Sequence, residues 1–261
     1  MIKKDFKIIF FVVIILLSIT TNAQNRYNFN QYFEETGDLL CKPSHWGKND
    51  FIRLGSILGS AFLIMQIDET IRDEVLKDRS FYYTPPIEFA RRWGEPLTTL
   101  VIAGGLSLQG LITDNKSNQH LAYEIMQSFS YTAGLTGALK LSLGRARPFT
   151  GRSPFKFEPF QHVQNAFRSF PSGHTSIAFS LSTVLAERTD SDFLKVVYYI
   201  PAVATAFSRV YQNHHWTSDV FIGACIGYFI GKFVTDLHNK TSKPENITAP
   251  PSNHFSLTFQ F

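Results

Sequence analysis

Residues Val220 to Val234 read VFIGACIGYFIGKFV, with Gly223, Gly227 and Gly231 spaced four apart inside an apolar run. Positions four apart lie on one face of an α-helix. A glycine inside a helix costs about 1 kcal/mol relative to alanine. A row of three therefore indicates a face along which a second helix backbone comes close. A shorter row, Ala133 and Gly137, stands in another apolar segment.

Working outward, the apolar segments are Ile52 to Ile67, Pro96 to Ile112, Leu121 to Leu143, His174 to Ala186, Phe193 to Phe207 and Val220 to Val234. Each is long enough for a helix, and polar or Pro/Gly-bearing connections separate them. No comparable alternating strands lie between them. The expected fold class is all-α, a bundle of about six core helices. The stretch from Gln24 to Asp50 is polar and aromatic without sustained period, which reads as an extended arm or irregular lead-in. At the other end HFSLTFQF alternates Phe255, Leu257, Phe259 and Phe261 with polar residues, the pattern of a short strand-like tail.

The chain has 261 residues, 44% hydrophobic and 15% aromatic, enough for one substantial core. Phe is abundant at 25 and Met scarce at 3, so that core should be rigid. The two cysteines, Cys41 and Cys225, supply neither a disulfide framework nor a cysteine metal site. The net charge of +4 suits anionic substrates or lipid surfaces without deciding for either. Nothing points to nucleic acid, and no protein partner is inferred.

Lys3, Lys4 and Lys7 precede the run IIFFVVIILLSIT, and Thr21-Asn22-Ala23 offers small residues for cleavage, so residues 1–23 read as a signal peptide and the protein as exported. An uncleaved anchor is the bland alternative. Gln109, Glu124 and Lys195 interrupt the apolar segments, several of which fall short of the ~20 residues of a span. Whether the bundle is embedded in a bilayer stays open at this level.

Three stretches concentrate polar groups at helix ends. In KLSLGRARP, Lys140 to Pro148, the proline is expected to stop the helix and push Arg147 out of helical geometry, toward a ligand. Its bland reading is a basic patch at a helix C-terminus. In FPSGHTS, Phe170 to Ser176, the amides around Ser172, Gly173 and His174 open a helix, the arrangement that binds phosphate. The alternative is a plain cap by Ser172. In SRVYQNHHWTSD, Ser208 to Asp219, a histidine nucleophile needs its second ring nitrogen held. Asp219 lies four residues after His215 and five after His214, which favours His215, with His214 left as a surface or supporting residue. His174, His215 and Asp219 could also make a three-ligand zinc set. Lys140, Arg147 and Arg209 would repel a divalent cation and instead stabilise a phosphoryl dianion, so no metal and no cofactor is expected.

These three stretches, Lys140 to Arg147-Pro148, Pro171-Ser172-Gly173-His174, and Ser208-Arg209 to His215 and Asp219, match in order and spacing the signatures of a known superfamily. The chain resembles the type 2 phosphatidic acid phosphatases, similar in their site to vanadium-dependent haloperoxidases and bacterial class A acid phosphatases, over roughly residues 90 to 240. The resemblance implies that His215 attacks phosphorus to form a phosphohistidine and Asp219 orients its ring. His174 protonates the leaving oxygen, and Lys140, Arg147, Arg209 and the amides at Ser172 and Gly173 hold the phosphoryl oxygens. It implies a lipid-phosphate phosphatase, acting on phosphomonoesters or pyrophosphates at the periplasmic side and associated with the membrane. The alternatives are a vanadate-dependent haloperoxidase, with vanadate as cofactor, and a non-catalytic lipid-phosphate-binding envelope protein. The expected organisation is 1–23 signal peptide, 24–90 arm and first helix, 91–240 phosphatase core, and 241–261 tail.

Overall fold

The computed structural model describes residues 27–82, 84–160 and 165–241, with side chains to Asn239. The expected signal peptide and the strand-like tail lie outside the described residues. Within them the chain is all-α. The helices are α1 (Phe29–Cys41), α2 (Lys48–Gln66), α3 (Asp68–Val75), α4 (Pro85–Arg92), α5 (Pro96–Ile112), α6 (Lys116–Leu143), α7 (Gly173–Glu187), α8 (Asp192–Tyr211) and α9 (Thr217–Thr241). The six expected apolar segments are α2 and α5 through α9. Between α6 and α7 the chain makes two 3-10 turns, Pro148–Thr150 and Asn165–Phe167, and an isolated bridge between Arg145 and Phe157.

α7 is the axis of the bundle and packs against α6, α8 and α9. The glycine row explains the closest of these contacts. A Cβ on Gly227 would lie 2.2 Å from the Ser176 carbonyl oxygen, and one on Gly223 2.7 Å from that of Ser172. On Gly231 it would meet Thr183 Cβ at 2.8 Å. The shorter row behaves differently, because a Cβ on Gly137 meets nothing within 4 Å. The expected close approach at Gly137 is therefore absent; Ala133 packs instead at the edge of an apolar cluster of Leu100, Ala103, Ile125, Met126, Phe129, Ile177, Leu181 and Val184.

Surrounded on all sides, α7 cannot be amphipathic, and it carries small hydroxyl residues that bond across to its neighbours. Ser180 Oγ pairs with Ser128 Oγ at 2.5 Å, Thr183 Oγ1 with Tyr199 Oη at 2.9 Å, and Trp93 Nε1 donates to Ser182 Oγ at 3.0 Å.

Polarity is inverted at the periphery. Large apolar side chains face outward along α2 (Phe51, Leu58, Phe62), α5 (Leu97, Val101, Leu108) and α8 (Val196, Ile200, Val203). Outward apolar surface of this extent marks contact with lipid or protein. Among the described residues, Asp192–Tyr211 and Thr217–Asn239 are long and apolar enough to cross a membrane. Two further spans result if α2 with α3, bent by 54°, and α4 with α5, bent by 62°, each count as one. The chain thus has the character of a membrane protein.

Three expectations are corrected. The lead-in is no irregular arm: Asn28 caps α1 by accepting from the Gln31 amide at 2.9 Å. The buried positions of α1 are Gln31 and Glu35, so no apolar period could reveal the helix. The short polar helices α3 and α4 escaped for a similar reason, having almost no buried apolar face. Finally, α6 ends not at Pro148 but at Gly144, which takes the left-handed conformation (φ 59°). A side chain there would also strike the Glu158 carbonyl at 1.8 Å.

Candidate active site

The residues of the three motifs meet where α6 ends and α7 and α9 begin. The turn at Gly144 reverses the chain so that Arg145 heads inward and Arg147 follows in extended conformation (ψ 150°), as a residue before proline should. At the start of α7 the Ser172 amide donates to the Asp219 carbonyl at 3.0 Å, tying the second motif to the third. A Cβ on Gly94, at the bend between α4 and α5, would lie 2.2 Å from the His174 carbonyl oxygen, so that bend closes over the second motif.

The third motif is not one helix. α8 stops at Tyr211, Asn213 turns the chain at φ 55°, and α9 starts at Thr217. His214 and His215 both donate their amides to the Arg209 carbonyl, at 3.1 and 3.3 Å. Asp219, in the first turn of α9, accepts from the Trp216 amide at 2.9 Å. The four-residue relation between His215 and Asp219 therefore spans a helix start rather than running along a helix.

The two histidines differ in surroundings. His215 is 3% exposed, and its Nδ1 stands 3.6 Å from Asp219 Oδ2. His214 is half-buried, with Nδ1 3.4 Å from Arg147 Nη1 and its ring edge-on to Phe149. Burial, then the charges of Lys140, Arg147, Arg209 and His174, press the His215 imidazole well below its ordinary value. His174 is pushed down to about 3 by burial and by Arg209, Arg91, Lys140 and Arg147. Both rings are thus neutral in the free protein, and the cations named in the sequence act on the same two histidines.

Those cations are incompletely paired. Arg147 gives Nη2 to Asn165 Oδ1 at 3.0 Å and Arg209 gives Nη1 to Gln212 Oε1 at 2.8 Å. The Nε of each, and His215 Nδ1, are buried without a partner among the described residues. Lys140 Nζ donates to the Arg168 carbonyl at 2.8 Å and more weakly to that of Ser169 at 3.4 Å, which leaves one N–H of its three. Buried donors without acceptors are costly unless something else supplies the acceptor, and an oxyanion would. Among the described residues no group of three His, Cys, Asp or Glu is placed to hold a metal ion, so His174, His215 and Asp219 do not form such a set.

Ser172 departs from its expected part. Its amide is taken by Asp219, and its hydroxyl pairs with Thr175 Oγ1 at 2.9 Å. Gly173 and His174 are left to supply the free amides of the opening turn of α7. A Cβ on Gly173 would sit 3.5 Å from Lys140 Cε, so a close approach from that side depends on glycine.

Sequence reasoning missed four residues around Asp219. Ser169 Oγ donates to Asp219 Oδ2. Arg145 Nη1 donates to Asp219 Oδ1 at 2.6 Å and its Nη2 to Asp68 Oδ2 at 2.9 Å. Ser218 bonds both Asp68 and Arg145. Arg145 was visible inside the first motif, whereas nothing in the local pattern around Asp68 marks it.

Residues 124–243 match the PAP2 superfamily. A lipid A 1-phosphatase of Porphyromonas gingivalis is 26% identical over 186 residues, covering 69% of this chain and 38% of that protein. A PA-phosphatase related-family protein of Dictyostelium discoideum is 34% identical over 130 residues, 44% of this chain and 47% of that one. The chain therefore spans less than half the length of these curated relatives. In fold it resembles the crystal structure of a transmembrane PAP2 type phosphatidylglycerolphosphate phosphatase from Bacillus subtilis, with a TM-score of 0.53 at 19% identity, covering 71% of this chain and 95% of that one. The stretch from residue 124 to residue 243, the part that matches the PAP2 superfamily, holds all three motifs.

Proposed function

We propose that this protein is a metal-independent phosphatase of lipid phosphates, acting on a phosphomonoester or pyrophosphate through a phosphohistidine at His215. The observation that carries the reading is the pair of buried guanidinium Nε atoms, of Arg147 and Arg209, that have no partner among the described residues, beside the buried His215 ring. Phosphoryl transfer asks for alignment of the attacking atom and compensation of charge on the equatorial oxygens. Fixed guanidinium groups beside a buried imidazole meet both demands.

In this reaction Nε2 of neutral His215 attacks phosphorus as the bond from phosphorus to the leaving oxygen breaks. His174 transfers its proton to that oxygen. Water then attacks the phosphohistidine, gives a proton to His174 and releases inorganic phosphate with His215 regenerated. The low position of His174 near 3 belongs to the free protein. A bound dianion offsets the cations that depress it, so the substrate itself promotes the protonated acid. The 3.6 Å from His215 Nδ1 to Asp219 Oδ2 exceeds a hydrogen bond, and such contacts tighten when the reacting complex forms.

The outward apolar faces of α2, α5 and α8 support a substrate that arrives from a membrane, and the reading of residues 1–23 as a signal peptide supports a site on the periplasmic side. The test is phosphate release from phosphatidate and from a soluble phosphomonoester in EDTA, for the parent, His215→Ala and His214→Ala. The reading expects loss in His215→Ala and substantial retention in His214→Ala. Binding of phosphatidate without release, by the parent, would overturn it in favour of a non-catalytic binding protein.

A further inference from the structure

The cluster behind Asp219 has no part in the proposed reaction, yet it is a fully buried, densely hydrogen-bonded charged group. Arg145, Asp68 and Asp219 are all within 1% of full burial. Arg145 uses all three guanidinium nitrogens: Nε to the Pro154 carbonyl at 2.7 Å, Nη1 to Asp219 Oδ1 at 2.6 Å and to Ser218 Oγ at 2.7 Å, and Nη2 to Asp68 Oδ2 at 2.9 Å. Asp68 in turn accepts the Ser218 amide at 3.0 Å and the Ser218 hydroxyl. The chain break between α2 and α3 delivers Asp68 to this point, and Asp68 lies outside the PAP2 segment.

We propose that Arg145, braced by Asp68, is a positioning residue that fixes the Asp219 carboxylate toward His215. The geometry supplies the reason. Asp219 has one oxygen occupied by Arg145, while the other takes the Ser169 hydroxyl and the Trp216 amide and faces His215 Nδ1. Held from both ends, the carboxylate cannot rotate away from the ring. Charge points the same way. One guanidinium between two carboxylates leaves a net charge of −1, which Lys140 and Arg147 of the site share in offsetting. The imidazolium character that His215 gains on taking up phosphorus, 3.6 Å from Asp219 Oδ2, meets the same anion. An arginine with a single carboxylate would have cancelled Asp219 and removed this support, so Asp68 restores the balance from a helix outside the family segment.

The inference rests on the proposed phosphohistidine reaction, and the experiment separates the two. The full chain in detergent micelles is prepared as parent, Asp68→Asn, Arg145→Lys and the milder Ser218→Ala, which keeps all three charges. Phosphatidate turnover is measured across pH, and the histidine ring nitrogens are followed by NMR in ring-15N-labelled protein. Arg145→Lys is expected to lower kcat by about 100-fold and Asp68→Asn by about tenfold with KM within about twofold, the scale of a misplacement approaching 1 Å. The acid limb of the Asp68→Asn profile moves to lower pH, because losing an anion disfavours the charged ring. The His215 signal, a single Nδ1–H tautomer in the parent, becomes mixed in Asp68→Asn and less so in Ser218→Ala. A merely structural role would lower thermal stability but leave the pH profile and the ring signal in place, and that result overturns the proposal. Should the parent show no turnover on any phosphoester, the phosphatase reading falls and the ring signal alone decides: unchanged in Asp68→Asn, it refutes the brace, and altered, it upholds it.

Discussion

Two buried polar clusters lie at opposite ends of α6 and are built from similar material. At one end Glu124 takes both Nε and Nη2 of Arg188 at 2.6 Å. Nearby, Glu35 accepts from Gln31 at 2.7 Å and from Gln127 at 2.5 Å, and His238 Nε2 meets Gln127 Oε1 at 2.9 Å. Tyr27 lies stacked on His120 and His238 with centroids 3.8 and 4.8 Å apart. At the other end, sixteen residues and so about 24 Å along the helix, stands Lys140 among Arg147, Arg209, His174 and His215. In the first cluster Glu124 is paired with Arg188 and Glu35 is hydrogen-bonded by Gln31 and Gln127, and the one side-chain atom left buried without a partner among the described residues there, Gln31 Oε1, is an acceptor. In the second, cations crowd around neutral histidines, and the Nε atoms of Arg147, Arg168 and Arg209 have no partner among the described residues. A polar interior is therefore not in itself a site. What distinguishes a site is the unmet demand, here for an anion.

The largest effect expected from this contrast is kinetic. His215→Ala should lower kcat by about 10⁴-fold or more, the scale on which loss of a nucleophile acts, with His214→Ala falling far less. Phosphate release assays decide it, and equal losses in both would erase the distinction drawn from burial and from Asp219. Next come the unpaired cations: Arg147→Ala or Arg209→Ala should cost about 10² to 10³ in kcat/KM and little stability. Arg188→Ala should do the reverse, lowering stability by about 3 kcal/mol through the buried Glu124 it abandons while leaving the kinetics of the folded fraction unchanged. Thermal unfolding in micelles beside steady-state kinetics would show the two clusters behaving alike if the contrast is false.

The pH response sharpens the comparison. His174, near 3, and His214, near 4, take up protons less readily in the folded than in the unfolded chain. The unfolded chain binds protons near 6.5, so the stability they contribute is present above that value and is lost as pH falls below it. The free protein should unfold at lower temperature at pH 5 than at pH 8, and inorganic phosphate should narrow the gap by supplying the missing anion. For turnover, His215 must be neutral and His174 protonated in the complex, which makes the rate bell-shaped, with the acid limb of kcat/KM below 6.5 because His215 is depressed. A rate rising monotonically from pH 4 to 9 would contradict that division of work.

The smallest effects belong to the glycines. Gly227→Ala forces a Cβ to within 2.2 Å of the Ser176 carbonyl oxygen, and overpacking of this kind costs about 1–3 kcal/mol. Gly137→Ala, in open space, should stabilise α6 by up to about 1 kcal/mol. Equal responses would mean that the row along α9 is not where α7 approaches.

This pair also shows what could be read beforehand. Spacing alone made Gly223, Gly227 and Gly231 a packing face, and correctly so, but the same rule misled at Gly137, since spacing says nothing about which face a neighbour takes. The apolar segments gave their helices because their outward faces are apolar too. α1 was illegible because it buries Gln31 and Glu35. In the site, the residues named from the motifs are the ones the structure brings together, with Asp219 beside His215. Ser172 was assigned an amide that Asp219 already holds, and Asp68 could not be found, since a contact made across 150 residues leaves no trace in local pattern.

The central claim is that phosphorus passes through His215. Rapid alkaline quench of turnover on 32P-labelled phosphatidate, followed by peptide mapping of the acid-labile, alkali-stable label, tests it directly. The account predicts label on the peptide at His215 in the parent and in His214→Ala, and none in His215→Ala. No label in a parent enzyme quenched during turnover, or label that follows His214, would contradict it.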